Sequence, residues 1–165
     1  MVCLSIKTNK ELVNLQARYE SGECMDIKDV VLILRDKHEP TPKPLRLPTE
    51  QEVNLAEQDL SFKFPEQYRY FVLNASNVVF GIREPGLVLP DMLPYLNLRV
   101  IAIDGWEAGV PKDFLSFCTD NGNYFTISNG GDIGYFDHDD GCHSILGGEF
   151  KDWIIEDWLE LEDHS

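Results

Sequence analysis

Residues 109–140, GVPKDFLSFCTDNGNYFTISNGGDIGYFDHDD, hold three short strand patterns separated by two glycine turns. A tight hairpin turn needs a backbone with positive φ, which Asn and Gly tolerate, and Asn121-Gly122 and Asn129-Gly130-Gly131 fall between apolar runs where such turns belong. The segment therefore predicts a compact antiparallel meander. It carries Asp113, Asp120, Asp132, Asp137, Asp139 and Asp140, and Lys112 is its one lysine or arginine. An acidic edge of this kind predicts a positively charged partner.

Upstream of the meander the apolar period is helical. Thr8 and Glu11 read as a capping box, with Leu12, Leu15 and Tyr19 as a modest stripe ending at Ser21-Gly22. From Asp26, the positions Ile27, Val30, Val31 and Leu34 follow the i, i+3, i+4, i+7 pattern, which favours a second helix over a buried strand. Prolines 40, 42, 44 and 48 then exclude both helix and central strand, so EPTPKPLRLP reads as an extended connector. Thr49 and Glu52 form another capping box, and Val53, Ala56 and Leu60 share one face of a third helix. Pro65 stands at the expected first position of a fourth, carried by Tyr68, Phe71, Val72 and Ala75.

Beyond residue 77 the pattern turns strand-like, with 78–80, 87–89, 100–103, 115–118, 124–127 and 133–136 as candidate strands. A closing helix follows, with Phe150, Trp153, Ile154, Asp157, Trp158 and Leu161 on one face and Asp152, Glu156, Glu160 and Glu162 on the other. Helices first and closely spaced strands afterwards predict an α+β fold with an antiparallel sheet.

With 165 residues the chain suits a single compact unit. Residues 1–47 read as an N-terminal helical elaboration ending in the proline-rich connector, and 48–165 as the main domain. The net charge of −15 is concentrated. Residues 1–47 hold seven acidic and eight basic side chains, residues 48–100 seven and four, and residues 101–165 fifteen and two. Such a field repels nucleic acid and anionic membrane and speeds encounter with a basic protein. No apolar run approaches the roughly 18 residues that would span a bilayer, and the start lacks a secretory h-region, so a cytoplasmic location is expected. Cys3, Cys24, Cys118 and Cys142 are scattered without paired spacing and read as reduced thiols.

The stretch Phe64-Pro65-Glu66-Gln67-Tyr68-Arg69-Tyr70-Phe71 resembles the helix motif of the SUKH superfamily, Leu-Pro followed by Tyr and an apolar pair, with residues 74–77 in place of its usual Asn-Gly. DNGNYFTI, GGDIGYFDHDD and FKDWIIEDWL are similar to that family's later paired strands, its Asp-His element and its terminal Phe-x-x-Trp helix. The resemblance covers roughly residues 48–161 and rests on the order and spacing of these motifs. It implies a SUKH-like antiparallel sheet with packed helices, and binding without catalysis. The family includes bacterial immunity proteins that neutralise polymorphic toxins, often nucleases, and the fungal SMI/KNR cell-wall regulators. Residues 1–47 depart from its minimal pattern.

The cluster Asp137-His138-Asp139-Asp140-Gly141-Cys142-His143 offers metal-ligand chemistry, but its spacing fits no EF-hand, and no second paired cluster completes a zinc site. A hydrolase would need a nucleophile and oxyanion donors, and no such context accompanies these histidines. Gly130-Gly131 and Gly147-Gly148 lack a phosphate-cradle pattern. No metal, cofactor or catalytic residue is assigned. The residues expected to bind a basic toxin are Trp106, Glu107, Asp120, Asn121, Asn123, Asp132, Asp137, Asp139 and Asp140. A protein-binding adaptor is the alternative, and a metal-dependent hydrolase ranks below both.

Overall fold

The computed structural model describes residues 9–160. Four helices come first: α1 (Asn9–Glu20), α2 (Ile27–Asp36), α3 (Glu50–Leu60) and α4 (Glu66–Ala75). Asp26 caps α2 by accepting the Asp29 N–H at 2.9 Å. Thr49 and Glu52 close the expected capping box on α3, and Arg46 grips the same carboxylate at 2.7 and 2.9 Å. Those hydrogen bonds, Arg46 first, lower the pKa of Glu52 to about 2. Pro65 has ψ of 157°, which makes it the residue before α4 rather than its first helical member. Thr8 and Leu161 lie outside the described residues.

The sheet has the order β1-β2-β3-β4 with every pair antiparallel: β1 (Phe114–Asp120), β2 (Asn123–Ser128), β3 (Ile133–Asp137) and β4 (Cys142–Ile145). The first turn is the expected two-residue type, since Asn121 and Gly122 both have positive φ, 51° and 89°. Leu115, Ile127 and Ile133 align across one face, which joins the rings of Tyr68, Phe71, Phe117, Phe150, Trp153 and Trp158 in the main core. Valines 30 and 31 and Leu34 bring α2 into that core with no exposed surface. Phe114, Phe136 and Val110 form a smaller cluster on the opposite face, beneath α5 (Leu98–Ala108). Helix α5 approaches the sheet so closely that a Cβ at Gly105 would overlap Ser116 Oγ.

Three candidate strands differ in the structure. Residues 100–103 belong to α5, because Asn97 caps the Arg99 N–H at 3.0 Å and Leu98, Ile101, Ala102 and Gly105 are buried at helical spacing. A four-residue apolar run carries no decisive period of its own. Residues 78–80 and 87–89 enter no strand; Pro85 and Leu87 make only isolated bridges, to Cys118 and Asn97. No sequence pattern announces strand β4, because its residues, CHSI, are mostly exposed and lack an apolar alternation. The closing helix begins as α6 (Phe150–Trp153) and continues through Ile154–Trp158 with π winding. Trp153 and Trp158 both point inward, each 2% exposed.

Candidate functional site

The β1–β2 and β3–β4 turns lie at the same end of the sheet, and a chain of polar contacts fastens them together. Tyr135 is its hub: the hydroxyl donates to Asp120 Oδ2 at 2.8 Å and accepts from Asn123 Nδ2 at 2.9 Å. Arg83 Nη1 donates to the other Asp120 oxygen at 2.9 Å, while its guanidinium lies 4.8 Å from the Phe125 ring centroid. Burial alone would raise the pKa of Asp120, but the bonds from Tyr135 and Arg83 outweigh it and the net shift is downward. Asp120 is therefore an ionised anchor.

The second turn hangs on Asn123. Its Oδ1 accepts from the His138 backbone N–H at 2.9 Å and lies 2.6 Å from His138 Nδ1. The imidazole sits against Gly122, where a Cβ would come within 3.0 Å of it. Gly122 thus serves two needs, positive φ and close approach by the neighbouring turn. His138 Nε2 pairs with Asp139 at 3.1 Å, and the Asp139 N–H donates to Asp137 Oδ1 at 2.9 Å. Ligand atoms of Asp137, His138 and Asp139 lie within 4.8 Å of one another, and each of these side chains is engaged in one of the contacts just described. In chemical terms the turn is a self-closed acidic tip, with Asp139 and Asp140 directed to solvent.

The other expected binding residues divide by location. Asn121 is exposed at the first tip. Asp132 lies at the opposite end of the sheet, in the β2–β3 turn, where its N–H donates to Ser128 Oγ at 3.0 Å. Trp106 and Glu107 belong to α5, on the sheet face away from Tyr135. Trp106 Nε1 donates to the Phe114 carbonyl at 2.7 Å, and Lys112 Nζ sits 5.0 Å from the ring centroid, so most of its polar capacity is spent internally. Glu107 is exposed. Sequence reasoning missed Arg83 and Tyr135, which make Asp120 and Asn123 structural. Arg83 stands 37 residues from Asp120, and no local spacing signals the pairing.

A profile of the family described as SMI1-KNR4 cell-wall, SUKH type, matches residues 27–159. The chain belongs to the SMI1-KNR4 family. The match opens at α2 and so takes in the connector as well as the sheet. A crystal structure of a protein from Pseudomonas syringae pv. tomato is similar to this SMI1-KNR4 member, with 26% sequence identity and a TM-score of 0.72 over 81% of this chain and 98% of that one. No curated protein matches. Among the described residues no helix is long and apolar enough to cross a membrane.

Proposed function

We propose that this SMI1-KNR4 family member is an immunity protein that binds and neutralises a basic toxin domain, without catalysis, from the cytoplasm. The observation that carries the reading is the charge imbalance of residues 101–165, fifteen acidic against two basic side chains. Nucleases are the leading toxin class, because an enzyme that holds phosphates must itself be basic. An acidic inhibitor gains on-rate and charge-assisted hydrogen bonds against such a surface. The paired turns supply a preorganised contact: Asp120 and Asn123 hold the tips, and Asn121, Asp137, Asp139 and Asp140 meet the partner. Trp106, Glu107 and Asp132 would extend the contact only if the toxin wraps round the sheet.

The test is binding to the basic C-terminal domain of a secreted protein encoded beside this gene, followed by calorimetry at two salt concentrations. Tight binding that weakens steeply with salt is expected, together with a large loss on reversing Asp137, Asp139 and Asp140 to lysine. Intact affinity in that triple variant would sink the site. The family description, with its reference to the cell wall, favours a second reading as a protein-binding adaptor. Capture of several unrelated partners that compete for one surface, with no toxin among them, would support it.

A further inference from the structure

The two edges of the sheet are treated differently. Along β1, the segment after Arg83 covers the edge: Pro85 bridges to Cys118, and the Gly86 N–H donates to the Phe117 carbonyl at 2.8 Å. On the far side of β4 there is no strand among the described residues. An antiparallel ladder alternates between residues bonded to their neighbour and residues whose N–H and C=O turn away. The Leu146 N–H donates to the Ile133 carbonyl at 2.8 Å, which sets Ser144 and Cys142 as the other residues facing β3. His143 and Ile145 consequently aim their backbone N–H and C=O outward.

Apart from its shortness, four residues, strand β4 carries none of the usual protections of a bare edge in its own sequence: no proline, lysine or bulge. Instead, Ile145 and Leu146 are 57% and 52% exposed beside it. The strand is also held still. His143 packs its ring 4.4 Å from that of Phe114, and its Nε2 lies 2.8 Å from Thr126 Oγ1. Gly134 makes room for that ring, since a Cβ there would come within 2.6 Å of both His143 Nε2 and Thr126 Oγ1. Outward groups fixed in this way lose little freedom on pairing.

We infer that β4 is a docking edge which accepts an extended, basic segment of the partner as a fifth strand. The chemistry of the occupant follows from what flanks the edge. Asp137, Asp139 and Asp140 stand at the entrance to β4, so lysine or arginine side chains on the incoming strand meet them. Its alternate apolar side chains would lie beside Ile145 as cross-strand pairs. A second copy of this chain fits poorly, because each copy carries a net charge of −15. The inference rests on the proposed basic partner and adds to it the surface and the mode of binding.

The probe is a capped six-residue peptide alternating lysine and valine, with an alternating glutamate and valine peptide as control, added to the whole protein at millimolar concentration. The backbone amides of His143 and Ile145 should exchange at least about fivefold more slowly with the lysine peptide, and be unchanged by the glutamate one. Ile145→Pro deletes one outward N–H while sparing the bonds to β3, and should abolish the effect. Ile145→Lys keeps the backbone and should weaken binding through like charge, which serves if the proline variant unfolds. Unmoved amides, or shifts confined to another face, overturn the inference. So does protection of the same amides without peptide in a dimer that forms with concentration. Unchanged toxin affinity in the Ile145→Pro protein would remove the edge and leave the immunity reading standing. Peptide pairing at β4 with no basic toxin recovered would do the reverse.

Discussion

The Tyr135 hydroxyl donates to Asp120 Oδ2 at 2.8 Å, and through this one bond strand β3 holds the end of strand β1 across the intervening β2. Asp120 binds Arg83 and Asn123 binds His138, so a single hydroxyl lies at the centre of contacts from four segments. Tyr135→Phe should lower stability by about 1–3 kcal/mol, the usual cost of removing a bond to a charged group. Urea unfolding checks this, and a variant with the wild-type midpoint would mean the hub contributes nothing.

The two kinds of aspartate at this end of the sheet should separate in experiment. Asp139 and Asp140 are solvent-directed, so Asp139→Lys and Asp140→Lys should each change stability by less than about 0.5 kcal/mol. Asp120→Lys would set two cations together at Arg83 and should be strongly destabilising. Thermal melts of the three proteins side by side decide the matter. Equal losses would refute the division between anchor and contact.

Glu52 gives the α3 cap a pH dependence whose sign is set by a lowered pKa. In the folded chain its pKa is about 2, against roughly 4.3 for an unperturbed glutamate. A lowered folded value contributes stability that is present above the unfolded pKa and is lost as pH falls through the folded one. The stability gap between the wild type and Glu52→Gln should therefore be full at neutral pH and close between about pH 5 and pH 2. Denaturant titrations at several pH values test it; a constant gap would contradict the ionic part of the cap.

Tyr68 is fully buried, its hydroxyl has no hydrogen-bond partner among the described residues, and burial pushes its pKa upward. A buried hydroxyl without a partner costs desolvation with no return. Tyr68→Phe should leave the fold unchanged and raise stability by about 1 kcal/mol. A loss of stability on calorimetry would show that the hydroxyl has a partner, such as a buried water.

Gly105→Ala examines the seat of α5. The added Cβ would overlap Ser116 Oγ, and its distance to Ser116 Cβ would be 2.9 Å, so the helix must lift from the sheet. A loss of about 1–3 kcal/mol is expected, as for other overpacked sites. Ser116→Gly should recover part of it in the double variant.

Much of this protein could be read from local chemistry. The helical spacing from Ile27 to Leu34, the capping box at Thr49, the Asn121-Gly122 turn and the tryptophan spacing of the closing segment each depend on a few neighbouring residues, so the chain alone determined those elements and the α+β order. The charge concentrated in residues 101–165 is likewise a property of the sequence. What only the tertiary structure decided depends on partners distant along the chain. Residues 100–103 are helical because Asn97 caps them and the sheet buries them, and β4 exists because β3 lends it a ladder. The same holds at the acidic end: Asp120, which reads like a contact residue, is an anchor because Arg83 and Tyr135 reach it from 37 and 15 residues away. A carboxylate becomes structural or available according to what the fold places beside it, and sequence spacing carries no record of that.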